Sequence, residues 1–197
     1  MYSYQKFVDI KYMPTLRKRT KKNLTKKINR NDREIKYNKA DYDSNNGMMT
    51  SIWGPPAWHF LHCISFNYPV NPTSEEKKHY KNFILSYKHT LPCGKCRKNL
   101  TKNLQKLPLE NKHMESRETF SKYMFELHEV INTMLGKKSG LTYEIVRDRY
   151  EHFRAKCQPS PKTNNHQEKG CVVPFYGKKQ KCVMRIVDHN KKCKTFM

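Results

Sequence analysis

Within "YKHTLPCGKCRKNL", residues 87–100, Cys93 and Cys96 stand two residues apart, just after Pro92 and at the start of a helix-forming run. Such a pair is half of a zinc site, a redox disulfide or a coincidence. Zinc requires a second close pair of cysteines or histidines at ligand spacing. The remaining cysteines are Cys63, Cys157, Cys171, Cys182 and Cys193, and none of them forms another CxxC. A zinc site through Cys157 or the C-terminal cysteines stays open on this reading. Redox chemistry has more physical support. The pair sits where a helix N-terminus favours thiolate, and Lys95 and Arg97 add cationic charge beside it. A two-residue spacer is short enough to close a disulfide and to open it again.

The elements that would carry this pair read as helices. In "PPAWHFLHCISF", Pro55 and Pro56 suit a helix start, and Trp58, Leu61, His62 and Ser65 share a face. Thr73 and Glu76 form a T-x-x-E capping box, followed by Tyr80, Phe83, Ile84 and Tyr87 at helical spacing. A third helix opens at the CxxC and carries Leu100, Leu104 and Leu107. A fourth carries Phe120, Tyr123, Met124, Leu127, Ile131 and Leu135, and Gly136 is its expected C-cap. A fifth holds Tyr143, Val146, Tyr150 and Phe153. No segment shows sustained period-two alternation. The expected fold is all-α, a four-helix bundle plus a short fifth helix.

Composition bounds the rest. The chain has 197 residues, 40 Lys or Arg against 17 Asp or Glu, and seven cysteines. From Lys11 to Arg30 there are nine basic residues and no acid. Residues 1–50 read as a basic, mostly disordered arm, residues 51–157 as the ordered domain and residues 158–197 as a basic, cysteine-containing extension. The arm reads as a nucleic-acid contact, a nuclear-targeting segment or a solvated tail. No run of 18 apolar residues predicts a membrane span, and the N-terminus lacks the apolar region of a secretory signal.

Three segments occur in order: "WGPPAWHFLH", "YKHTLPCGKC" and "LHEVINTMLGKK". Together they resemble the Erv/ALR family of FAD-linked sulfhydryl oxidases over about residues 52–157. Further on, "YEHFRAKC", "KGCVVPFYGKKQKC" and "MRIV" are similar to members encoded by large cytoplasmic DNA viruses. The resemblance implies a bundle holding FAD beside the CxxC. Cys93 would exchange with substrate thiols and Cys96 would face the flavin. The electrons would pass to O₂ and yield H₂O₂.

Carried over position by position, the resemblance assigns FAD contacts to Gly54, Trp58, His62, Tyr87, His128, Asn132, Lys137, Arg149 and Tyr150. Arg149 and Tyr150 require a one-residue insertion after Gly136. No metal ligand is assigned. Apart from the resemblance, Trp58 and Tyr87 read equally as core aromatics, His62 and His128 as satisfied helix histidines, and Lys137 as a basic helix cap. Asn132 in mid-helix is harder to explain as structure alone.

The chain departs from the family pattern at Glu129, where Asn is usual, and at the structural disulfide of cellular members, whose positions hold Phe125 and Leu141 or Thr142. Cys63 reads as a buried spectator thiol. Among Cys157, Cys171, Cys182 and Cys193, a structural disulfide involving Cys157, Cys171 and Cys182 is favoured over a mobile shuttle. The implied partners are thiol-containing proteins, a thioredoxin-like electron donor, O₂ and a second copy of the chain. The viral resemblance implies the host cytoplasm, at the site of virus assembly, or the virion as location, with no secretion. Two alternatives stay open: a zinc-stabilised nucleic-acid-binding module, and a non-catalytic virion protein with an oxidase-like fold.

Overall fold

A computed structural model of the protein describes residues 38–156, 171, 173–176 and 182. Six helices follow in order: α1 (Lys39–Tyr42), α2 (Thr50–Phe66), α3 (Ser74–Thr90), α4 (Gly94–Lys106), α5 (Arg117–Met134) and α6 (Tyr143–Glu151). A 3₁₀ turn, Asn111–Met114, precedes α5, and two short strands, β1 (Ala155–Lys156) and β2 (Val173–Pro174), pair antiparallel. The four long helices and the short α6 form the expected all-α bundle. Most of the basic arm, most of the C-terminal extension, Cys157 and Cys193 lie outside the described residues.

Local chemistry accounts for most helix ends. The Thr73 hydroxyl accepts from Glu76 N–H at 3.2 Å while Glu76 Oε2 accepts from Thr73 N–H at 2.8 Å, completing the capping box of α3. Glu75 and Glu76 occupy the first turn of α3 and Lys88 and His89 the last, each on the favoured side of the helix dipole. Ser116 caps α5, and Gly136, at φ 67°, ends the run after it as expected.

The start of α2 differs from expectation. It begins at Thr50 rather than at the proline pair, so Pro55 and Pro56 lie inside it. Their fixed φ fits a helix, and the cost is two missing ladder bonds. The residues just before α2 also depart from an irregular arm. Asn38 caps α1 in a reciprocal box with Asp41, and Met48 N–H donates to the Pro92 carbonyl at 2.7 Å.

Packing then places the bundle faces. α2 lies most extensively along α5, α4 packs on both α3 and α5, and α6 covers α2. One core cluster joins Tyr68, Phe120, Tyr123, Met124, Leu127, Leu100 and Leu104. The hydroxyls of Tyr68 and Tyr123 donate to the Met114 and Leu107 carbonyls, each at 2.9 Å, so both polar tips are satisfied inside the core. A second cluster holds Phe66, Tyr143, Val146 and Tyr150, with Phe66 and Tyr150 stacked 5.1 Å apart.

Phe125 and Leu141 pack against this second cluster. Apolar contact thus holds the loop where the resemblance implies that a disulfide staple is missing. At the C-terminal end of α2, Arg154 Nη2 donates to the Phe66 carbonyl and Arg117 Nε to the Tyr68 carbonyl, both at 2.6 Å. Among the described residues no helix is long and apolar enough to cross a membrane.

Candidate active site

The site starts at the N-terminus of α4. Cys93 is its N-cap, with extended backbone, and its Sγ accepts from Cys96 N–H at 3.2 Å. The two cysteines form a disulfide across a Cα–Cα distance of 5.2 Å. Arg97 reaches back to donate to the Leu91 carbonyl, which fixes the approach to the turn.

Beside the disulfide lies a cavity of about 690 Å³ lined by α2, α3, α4 and α5, by Tyr150 of α6 and by Lys137, Lys138 and Ser139 after α5. Cys96 lines this cavity and Cys93 does not. Cys96 therefore stands on the cavity wall, and its disulfide partner Cys93 caps α4 beside it.

The opposite wall is aromatic. Trp58 stacks on His128 with centroids 3.9 Å apart and planes 5° from parallel. His62 Nε2 lies 3.0 Å from His128 Nδ1, so one ring donates and the other accepts. His62 is 1% exposed, and its Nδ1 is buried without a hydrogen-bond partner among the described residues. Burial, then the neighbouring His128 and His59, pushes the His62 imidazole down to about 3. Burial, then the Lys137 charge, pushes His128 down to about 4. Both rings are neutral near pH 7.

Of the residues assigned in the sequence, Cys96, Gly54, Trp58, His62, Tyr87, His128, Asn132, Lys137 and Tyr150 all line the cavity. A methyl group added at Gly54 would meet nothing within 4 Å, so this wall is open to close approach. Asn132 donates to Glu129 Oε1 at 2.9 Å, and its carbonyl accepts from Lys137 N–H at 2.8 Å. Glu129, the departure from the family pattern, thus holds an amide beside the cavity. Tyr150 of α6 turns inward onto Phe66, whereas Arg149 does not line the cavity, although its Nε is buried.

Several lining residues escaped the sequence reading. His59 lines the cavity, accepting or donating with Tyr150 Oη at 3.1 Å and lying 3.9 Å from Cys63 Sγ. Cys63 is half-buried, and burial, then the nearby Cys182 thiol, raises its pKa. Asn103 is buried on the face that α4 shares with Leu100 and Leu104, and that placement of an amide in a leucine stripe was a signal. Lys138 and Ser139 add polar groups to the wall beside Lys137.

Of the C-terminal cysteines, Cys171 is disulfide-bonded, whereas Cys182 is a free, exposed thiol. Cys182 is therefore outside the structural disulfide expected among Cys157, Cys171 and Cys182. Since Cys93 and Cys96 pair with each other and Cys63 is free, the partner of Cys171 is none of the described cysteines. Among the described residues no group of three or more His, Cys, Asp or Glu is placed to hold a metal ion.

The family model described as the Erv1/Alr family matches residues 55–151. A probable FAD-linked sulfhydryl oxidase of Acanthamoeba polyphaga mimivirus is 45% identical over 96 residues, covering 49% of this chain and 66% of the relative. An FAD-linked sulfhydryl oxidase of African swine fever virus is 33% identical over 112 residues, covering 57% of this chain and 91% of the relative. A mitochondrial FAD-linked sulfhydryl oxidase of Saccharomyces cerevisiae is 34% identical over 85 residues, 43% of each chain. The chain thus spans just under two thirds of the mimivirus protein's length and less than half of the yeast protein's.

The crystal structure of the FAD-binding domain of Erv1 from Saccharomyces cerevisiae is similar at 28% identity and a TM-score of 0.48, covering 52% of this chain and 94% of that one. The family model's span of residues 55–151 includes the CxxC, Trp58, His62, His128 and Asn132, the African swine fever virus relative is matched along 91% of its length, and the chain belongs to the Erv1/Alr family.

Proposed function

We propose that this chain is an FAD-linked thiol oxidase that makes disulfides in protein substrates. The observation that carries the reading is the placement of one disulfide at the cavity, with Cys96 on its wall and Cys93 capping α4 beside it. The cavity fits FAD on several counts. Its volume of about 690 Å³ falls within the range for small-molecule sites, roughly 300–1,000 Å³. It offers a neutral aromatic wall in Trp58, His62 and His128, an orphaned ring nitrogen on His62, and open space over Gly54. Lys137 and Lys138 line it too, where a diphosphate would be held.

The chemistry of the chain's own residues follows. A substrate thiolate attacks Cys93 Sγ, the Cys93–Cys96 bond breaks, and Cys96 leaves as thiolate toward the cavity. A second substrate thiolate then attacks the substrate sulfur of the mixed disulfide and releases Cys93. The Cys96 N–H that reaches Cys93 Sγ favours the departing thiolate. The substrate is oxidised by two electrons, and the protein's disulfide is reduced to a dithiol. Bound FAD would accept those two electrons from the dithiol and deliver them to O₂ as H₂O₂. Trp58, His62 and His128 line the same cavity as Cys96 and would flank the cofactor there.

The wider setting belongs to the same proposal. The proposed setting is disulfide formation in virion proteins within the host cytoplasm, with a thioredoxin-like protein as electron donor and a homodimer as the working unit; that two similar proteins named FAD-linked sulfhydryl oxidases are viral supports the viral part of this reading. The test is oxygen uptake with dithiothreitol by purified protein whose FAD content has been measured. Stoichiometric FAD and uptake that disappears in Cys96→Ser support the reading. Uptake at the wild-type rate in Cys96→Ser overturns it.

A further inference from the structure

We propose that Gly47, Met48 and Met49 form a docking strap beside Cys93 for extended polypeptide substrates, so that the protein prefers cysteines in unfolded chains over small thiols. The inference rests on the thiol oxidase reading and names the substrate class of that site.

The strap is in direct contact with the disulfide turn. A Cβ added to Gly47 would stand 2.7 Å from the Pro92 carbonyl oxygen and 2.9 Å from Cys93 Cα. Both are backbone atoms that cannot swing aside, so only glycine lets the chain pass this close. The next residue is pinned on both sides. Met48 N–H donates to the Pro92 carbonyl at 2.7 Å, and the Met48 carbonyl accepts from Trp53 Nε1 at 3.1 Å. With both backbone polar groups of Met48 used, what the strap offers outward is side chain.

Those side chains are apolar and uncovered. Met48 and Met49 are each 68% exposed, and Ile52, at the start of α2, is 37% exposed. Among the described residues these two adjacent methionines beside the disulfide belong to neither core cluster. Thioethers on unbranched, flexible chains adapt to many apolar partners, which suits a surface that must accept varied sequences. A small dithiol needs only to reach Cys93 Sγ. A polypeptide must also lay the residues flanking its cysteine along whatever borders Cys93, and the strap forms that border. Continuity with the exchange site thus selects a cysteine-bearing extended segment as the occupant. A second copy of this chain is the alternative occupant.

The test compares oxygen uptake by holoenzyme and by Met48→Ser/Met49→Ser with two substrates, dithiothreitol and reduced, unfolded ribonuclease A. The substitutions are on exposed side chains, and FAD content together with light scattering checks that cavity and assembly are intact. The expected result is a kcat/KM for reduced ribonuclease about fivefold to twentyfold lower, mostly through KM, with dithiothreitol turnover within about twofold. Equal losses on both substrates overturn the proposal, because the strap then only positions the disulfide. No loss on either also overturns it, as does a wild-type dimer that the double substitution splits. A wild type inactive with both thiols removes the oxidase reading and this proposal together.

Discussion

His62 Nε2 and His128 Nδ1 lie 3.0 Å apart, joining two buried imidazoles from α2 and α5 across the wall of the cavity. Burial holds both below the ordinary 6.5, His62 at about 3 and His128 at about 4. Between those values and 6.5 the unfolded chain binds protons that the folded chain refuses. Stability is therefore full above about pH 6.5 and is lost as pH falls through that window. At pH 5 the expected cost is about 2 kcal/mol for each imidazole. Urea unfolding at pH 7.5, 6 and 5 should show a falling midpoint, and His128→Gln should flatten the decline. A midpoint unchanged down to pH 5 contradicts the neutral pair.

Trp58 covers the face of His128 and lines the cavity. Trp58→Ala removes a stacked pair and a large part of the wall. FAD affinity should fall by about tenfold to a hundredfold, read by flavin fluorescence during titration of apoprotein. Retention of wild-type affinity would place the cofactor elsewhere.

Tyr150 has two separable jobs. Its ring stacks on Phe66, and its hydroxyl meets His59 Nδ1 at 3.1 Å. Tyr150→Phe keeps the stack and should cost about 1 kcal/mol in urea unfolding. Phe66→Ala opens the second core cluster and should cost about 3–5 kcal/mol.

Cys93 and Cys96 differ in surroundings despite sharing a bond, since only Cys96 lines the cavity. In the reduced holoprotein, limiting iodoacetamide should label Cys93 at least about tenfold faster than Cys96. Peptide mapping by mass spectrometry reads the ratio directly. Faster labelling of Cys96 would invert the assigned roles.

Much of this site could be read before any coordinates because its parts are local. The Thr73–Glu76 box, the N-cap at Cys93 and the left-handed Gly136 each depend on neighbours within four residues. The start of α2 was not legible, because Pro55 and Pro56 carry a helix-start signal while the chain upstream is held by Trp53 Nε1 on the Met48 carbonyl and by Met48 N–H on the Pro92 carbonyl. That second contact crosses more than forty positions, and no periodicity reports it. His59 escaped for a related reason: its meaning comes from Tyr150, on a helix 91 residues away. The inward face of α6 was legible, because helical spacing alone groups the buried Tyr143, Val146 and Tyr150.

The most direct measurement is the visible absorption spectrum of purified holoprotein and of Cys96→Ser, recorded anaerobically before and after a dithiol is added. The account predicts a flavin band in both proteins that the dithiol bleaches in the wild type and leaves intact in Cys96→Ser. A colourless wild-type protein carrying a stoichiometric metal, or a band that bleaches equally in both, would contradict it.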